Sequence, residues 1–183
     1  MVSSHVNPSS RGRYRTGEHD GDDSQIQRMQ GMVEMMSIEQ MYQDIILDYY
    51  ANPVAKGLRE PYQVEVHHVN TSCGDDITVR LAVQGGALKE LSWDGVGCSI
   101  SMSSMSMLAE AVAEKDLATF DTALAEFTRL MHGKGVVVPD ELILGDAVAF
   151  AGVAKFAARV KCALLGWKAV EDAVTRIKGS TDD

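Results

Sequence analysis

One stretch restricts the folds open to this chain more than any other. Ile77, Val79, Leu81 and Val83 alternate with Thr78, Arg80 and Gln84, the period-two pattern of a strand with one buried face. Gly85-Gly86 comes next, and a two-residue hairpin turn needs positive φ at both central positions, which glycine adopts at no steric cost. Leu91 and Trp93 mark the returning strand. Upstream, Tyr62, Val64, Val66 and His68 alternate with Gln63, Glu65 and His67. Together these stretches predict an antiparallel meander.

Helical periodicity surrounds the meander. Ser37 and Gln40 have the spacing of a capping box, and Ile38, Met41 or Tyr42, Ile45 and Tyr49 recur behind them until Asn52-Pro53 ends the helix. After Gly97, Ile100, Met105, Leu108 and Val112 share one helical stripe. Asp116 opens a further helix carrying Leu117, Phe120, Leu124, Phe127 and Met131, and Gly133 ends it. Residues 134–146 read as a loop around Pro139, and Val160, Leu164, Trp167, Val170, Val174 and Ile177 form the stripe of a long last helix. The order predicts an α+β fold, a three-stranded antiparallel β-meander packed against several helices. Residues 37–178 suffice for a single domain with a real core. Residues 1–36, rich in Ser, Arg, Gly, Asp and Gln, are expected to form a flexible polar tail, and 179–183 a disordered C-terminus.

Charge excludes whole classes of partner. A net charge of −9 repels a phosphate backbone, so no nucleic acid is expected. No apolar run approaches a membrane span, so no membrane is expected either. The first residues include Arg11, Arg13 and Arg15 but no apolar h-region, and Glu18, Asp20, Asp22 and Asp23 do not suit a transit peptide. The expectation is a cytoplasmic protein.

The cysteines number three and lie far apart, which argues against a disulfide framework in a reducing compartment. They could simply be small buried hydrophobes. Their placement suggests more. Cys73 lies in the turn-rich loop Asn70-Thr71-Ser72-Cys73-Gly74-Asp75, and Cys98 in Gly95-Val96-Gly97-Cys98 as the chain leaves the third strand, so both belong to one end of the sheet. If Gly85-Gly86 is the turn, paired residue numbers add to 171, as do 73 and 98. Extended into the loops, that register makes the two thiols neighbours, with Cβ atoms about 4.5–5.5 Å apart. Cys98 directly precedes a helix, whose N-terminal dipole favours negative charge. Cys162 lies beside Arg159 and Lys161, which are expected to lower its pKa. On a helical wheel it leaves the bulky stripe and joins Gly166, Ala169 and Ala173. Asp75 is either a turn-forming aspartate or a carboxylate for the same ion. Three thiolates and one carboxylate would complete a tetrahedral set for Zn²⁺. His67 and His68 point to opposite faces of a strand and cannot share one site. His132 sits near a helix C-terminus, where the dipole explains it. Met102, Met105 and Met107 read as core packing.

At these residues the chain resembles the U-type iron–sulfur cluster assembly family, and within it the SufU branch. The matching stretches are Tyr42 through Pro53, Cys73-Gly74-Asp75, Gly95-Val96-Gly97-Cys98-Ser99-Ile100-Ser101, and Gly152 through Cys162 with its Arg159-Val160-Lys161-Cys162 end. The resemblance runs from about residue 38 to about residue 175 and implies a SufE/NifU/IscU-like fold. It also implies a zinc site formed by Cys73, Asp75, Cys98 and Cys162, and a role as a zinc-dependent sulfurtransferase serving a SufS-type cysteine desulfurase. In the mechanism it implies, a histidine of the desulfurase replaces Cys73 on zinc. The freed thiolate of Cys73 then attacks the persulfide, and the sulfur passes to a downstream SUF cluster-building complex. Arg159 matches an arginine implicated in docking to the desulfurase.

Two other readings stay open. One is an iron–sulfur cluster assembly scaffold of the IscU branch, which would bind a cluster in place of zinc. That branch carries a histidine directly before the third cysteine, where this chain has Lys161, it lacks the helical segment containing Leu117–Met131, and it carries a prolyl chaperone-docking motif where this chain has Ala157-Ala158-Arg159-Val160-Lys161. The other is a protein whose zinc is purely structural, which a closed tetrahedral site would fit equally well.

Overall fold

The computed structural model describes residues 22–180. Its one sheet has three antiparallel strands, β1 (Val64–Asn70), β2 (Asp75–Gln84) and β3 (Ala87–Val96), in the order β1-β2-β3. The hairpin forms where the glycines demand it, with φ of 62° at Gly85 and 77° at Gly86. Along β2, Asp75, Ile77, Val79 and Leu81 are buried and the intervening residues are half-buried, as alternation requires.

The register departs from the expected one. Gln84 pairs with Ala87 and Val83 with Leu88, but Ala82 pairs with Glu90, and a one-residue shift then persists to Asp76↔Val96. Lys89 is the extra residue of a β-bulge. Beyond the bulge paired numbers add to 172, so the register that aligned Cys73 with Cys98 does not reach their end of the sheet.

Among the described residues, five α-helices accompany the sheet: α1 (Asp22–Ala51), α2 (Ser99–Val112), α3 (Leu117–His132), the short α4 (Glu141–Leu144) and α5 (Ala157–Ser180). The predicted α+β meander with packed helices is what forms. The chain divides into two units, Met1–Ser37 and Ile38–Asp183. In the first, residues 1–21 lie outside the described residues, and 22–36, expected as an irregular tail, are helical. Gln, Arg, Met and Glu dominate that stretch and proline is absent, so intrinsic propensity favours helix although every described side chain there is exposed. Ser37 is therefore interior to a helix, and Gln40 bonds Asp44 at 3.0 Å instead of closing a capping box. At the other end Gly179 and Ser180 finish α5, and 181–183 lie outside the described residues.

The second unit has its core between the sheet and the helices. Tyr42, Ile45, Ile46 and Tyr49 turn one face of α1 inward. In α2 every residue from Ser101 to Ala109 is buried, Met102, Met105 and Met107 among them. Its buried serines are satisfied: Ser104 Oγ donates to Ala163 O at 2.7 Å and accepts from Trp167 Nε1 at 3.0 Å, and Ser106 Oγ accepts from Val54 N at 2.7 Å. Asp116 caps α3 by accepting the Thr119 N–H at 2.7 Å, and Phe127 stacks on Trp167 at 4.2 Å between centroids. The stretch expected as a loop around Pro139 contains α4 and continues into two 3₁₀ turns that bury Ala147, Ala149 and Phe150. α5 lies between β1 and β2 on one side and α2 and α3 on another. This two-sided burial is why Cys162, Gly166, Ala169 and Ala173 are inside although they leave the bulky stripe. A Cβ on Gly166 would stand 2.6 Å from Met105 Sδ, so the close approach of α2 requires glycine there.

Candidate metal centre

The turn between β1 and β2 is organised by Asn70. Its carbonyl accepts the N–H groups of Cys73 (3.1 Å) and Gly74 (2.9 Å), and its Oδ1 accepts the Ser72 N–H at 3.3 Å. Gly74 takes a φ of 72°, a left-handed conformation that suits glycine. The turn leaves Cys73 exposed and brings Asp75 onto the inward face of β2, fully buried.

From the other side of the sheet end, β3 leads through Gly97 into α2, where Cys98 occupies the N-cap position without a side-chain cap. The Cys98 N–H donates to Asp75 Oδ1 at 2.9 Å, and Ser101 Oγ donates to Cys98 O at 3.1 Å and lies 3.7 Å from Cys98 Sγ. A Cβ at Gly97 would meet Ser101 Oγ at 2.6 Å and Asp75 Oδ1 at 2.8 Å, so only glycine lets these elements converge. Cys162 enters from the second turn of α5. Its Sγ lies 3.1 Å from Cys73 Sγ and 3.5 Å from Asn70 Nδ2, and the same amide nitrogen is 3.4 Å from Asp75 Oδ2.

The ligand atoms of Cys73, Asp75 and Cys162 all lie within 4.8 Å of one another. Cys98 falls outside that set and joins it through its peptide N–H. The thiol beside Cys73 is thus Cys162, where the extrapolated register expected Cys98. The β-bulge at Lys89 moves that register by one residue, and Cys73 leaves the ladder in the turn between the paired Asn70 and Asp75.

Electrostatics here follow burial. Desolvation by itself would raise the Asp75 carboxyl, but the Cys98 N–H and hydrogen bonds from Cys162, Ser101 and Cys98 outweigh it and hold the group below its ordinary 3.8. The Cys162 thiol goes the opposite way. Burial pushes it far up, helped by hydrogen bonds to Cys73 and Asp75 and by the charge of Cys98. The expectation that Arg159 and Lys161 would lower it is corrected, because both side chains face solvent while the sulfur sits against a carboxylate. No ion pair of the described residues includes Asp75. An ionised carboxylate buried without a cation is costly. With thiols beside it, that environment fits a soft divalent cation such as Zn²⁺, which would neutralise the carboxylate and deprotonate the thiols.

The other sequence candidates fall elsewhere. His67 pairs with Asp76 at 2.9 Å on the exposed face, and His68 with Asp172 of α5 at 3.2 Å. His132 is exposed in the last turn of α3. Arg159 is exposed in the first turn of α5, and no ion pair of the described residues includes it. Sequence reasoning missed two residues. Asn70 was legible only as a turn former, and Ser101 only as the end of a motif. Its spacing of three from Cys98 is the usual reach of a helix N-terminus and was the available signal.

No helix of the described residues is long and apolar enough to cross a membrane. Residues 41–163 match the model of the NifU-like N terminal domain. The chain is 38% identical over 144 residues to the zinc-dependent sulfurtransferase SufU of Bacillus subtilis, covering 78% of this chain and 95% of that protein. It is 30% identical over 142 residues to the iron–sulfur cluster assembly scaffold protein IscU of Thermotoga maritima, covering 78% of this chain and 98% of the relative. Among solved structures it resembles a protein described as an iron–sulfur cluster assembly scaffold for the SUF system from Fervidobacterium islandicum (TM-score 0.63, 29% identity, 70% of this chain and 93% of that one). The N-terminal part of a NifU-like protein from Brucella abortus shares the fold (TM-score 0.67, 21% identity, 74% of this chain and 92% of that one). The chain belongs to the NifU-like N-terminal domain family.

Proposed function

We propose that this protein is a zinc-dependent sulfur acceptor, working in the cytoplasm, that takes persulfide sulfur from a SufS-type cysteine desulfurase for iron–sulfur cluster biogenesis. The observation that carries this reading is the pairing of an exposed thiol, Cys73, with a buried one, Cys162, at 3.1 Å beside the buried carboxylate of Asp75. The relative named a zinc-dependent sulfurtransferase supports it.

Cys73, Asp75, Cys98 and Cys162 would hold the ion, Cys98 already meeting Asp75 through its N–H. Zinc supplies a Lewis acid that keeps thiols deprotonated and brings no redox chemistry of its own. The rest belongs to the chain. Cys73, on its exposed turn, reaches the partner; its thiolate attacks the outer sulfur of the partner's Cys–S–S–H, the partner's S–S bond breaks, and the partner leaves as a thiolate. Cys73 then carries the added sulfur as a persulfide and delivers it to a downstream SUF cluster-building complex. Asn70 and the Cys98 N–H hold Asp75 and the Cys73 turn in place during the exchange. Arg159, exposed on the first turn of α5 and without an ion pair among the described residues, is the docking cation for the desulfurase. Lys161, where scaffolds carry histidine, and the α3 segment favour transfer over cluster building.

The test is metal content followed by desulfurase assay. Stoichiometric zinc with strong stimulation of a SufS-type desulfurase, lost in Cys73→Ala, supports transfer. Full zinc occupancy without stimulation sinks it and leaves a structural zinc. A brown protein carrying iron and labile sulfide would establish the scaffold reading.

A further inference from the structure

We infer that metal occupancy selects between two fates for sulfur on Cys73: with the metal held the persulfide survives for delivery, and without it Cys162 resolves the persulfide and releases sulfide. The inference rests on the sulfur-acceptor reading above and adds an activity to the same residues.

The geometry is asymmetric. Cys73 is exposed and Cys162 is fully buried, yet their sulfurs stand 3.1 Å apart. Closing that gap to a disulfide of about 2.0 Å requires roughly 1 Å of movement, on a turn residue followed by the left-handed Gly74. Cys98 lies outside the tight set and does not compete on the same footing. Small external thiols reach Cys73 from solvent, whereas the buried Cys162 has the Cys73 sulfur 3.1 Å away. An intramolecular thiol so placed acts at a far higher effective concentration than a dissolved one.

The step balances without an outside oxidant. Cys162 Sγ attacks Cys73 Sγ, a bond forms between them, and the bond from Cys73 Sγ to the added sulfur breaks. The added sulfur, which already carries the persulfide proton, leaves with the electron pair as HS⁻ and takes the Cys162 proton, departing as H₂S. The sulfane sulfur is reduced to sulfide while the two cysteines are oxidised to a disulfide. When the metal engages Cys162, that sulfur is not free to attack. A small dithiol is the class of reductant that would reset the closed form.

The experiment loads Cys73 with inorganic polysulfide, so delivery by the desulfurase does not enter. Zinc-loaded and chelator-treated full-length chains are followed by intact mass, by a sulfide assay and by peptide mapping without reductant. The zinc-loaded chain is expected to keep the mass of one added sulfur. The metal-free chain is expected to lose that sulfur roughly tenfold faster or more, to release one sulfide per chain and to show a Cys73–Cys162 link. Cys162→Ser should retain the added sulfur with or without metal. A metal-free chain that keeps its sulfur overturns the inference. So does a link to Cys98, or the same mixture of links as a urea-unfolded chain gives. Failure of a desulfurase to load Cys73 would instead overturn the acceptor reading, and the polysulfide result would stand apart from it.

Discussion

The sheet is finished in two different ways at its two ends. At the hairpin end Gly85 and Gly86 reverse the chain, and the bonds around them run backbone to backbone: Leu117 N–H to Gly86 O at 3.1 Å and Leu88 N–H to Lys115 O at 2.8 Å. The aspartate nearby, Asp116, is exposed and caps α3. At the opposite end another aspartate, Asp75, likewise accepts an N–H at the start of a helix, but it is fully buried among thiols, and no ion pair of the described residues includes it. One aspartate serves the fold. The other sits where a fold alone would not put a charge, and that marks the site.

The contrast breaks most severely at Cys73. Cys73→Ala removes the only exposed thiol of the cluster, so sulfur acceptance should fall by about 100-fold or more, a loss typical of a missing nucleophile. Thermal stability of the metal-free chain should hardly move, because the side chain is exposed. Mass spectrometry after desulfurase turnover reads the first and calorimetry the second. Retained acceptance would reassign the acceptor role to another cysteine.

Two glycine substitutions should separate the ends. Gly97→Val forces apart Asp75 and Ser101, so zinc affinity measured against a competing chelator should drop roughly 10–100-fold, the range seen when the supporting shell of a metal is disturbed. Gly86→Val puts a β-branched residue at a φ of 77° and should cost about 1–2 kcal/mol of stability with zinc affinity unchanged. If Gly86→Val also weakened zinc, the ends would be coupled through the sheet and the division of labour drawn here would be wrong.

The hairpin end was legible in the sequence because alternation and paired glycines are local signals. Even there one sign was overlooked. Leu88 and Leu91 both face the core although three residues apart, a break in period two that only a bulge permits. The site end was legible as residue types, since thiols and a carboxylate beside glycines are visible in the chain. Which sulfur neighbours which was not, because Cys162 arrives from a helix buried on two sides and the bulge changes the register. The pull of Arg159 and Lys161 on Cys162 was misjudged for a related reason. Sequence proximity says nothing about which side chains face water. The helix over 22–36 escaped the pattern because nothing apolar is buried there, and propensity alone sustains it.

The smallest effect compares the two aspartates by pH in the metal-free chain. Hydrogen bonds from the Thr119 hydroxyl and N–H hold Asp116 below its ordinary 3.8. For Asp75, burial opposes the shift, but the Cys98 N–H and the neighbouring hydrogen bonds prevail. In both cases the folded chain releases the proton at lower pH than the unfolded chain does. The stabilisation is therefore present above about pH 4 and disappears as pH falls through the depressed value. Replacing either aspartate with asparagine removes that limb, so the stability gap between parent and variant should narrow between about pH 5 and pH 3 in urea titrations. Zinc should separate the two. A bound cation stabilises the Asp75 carboxylate further and shifts its limb to lower pH, while the limb of Asp116 stays where it was. A limb of Asp75 that did not move on adding zinc would mean the carboxylate is not a ligand, and the two ends of the sheet would then differ only in burial.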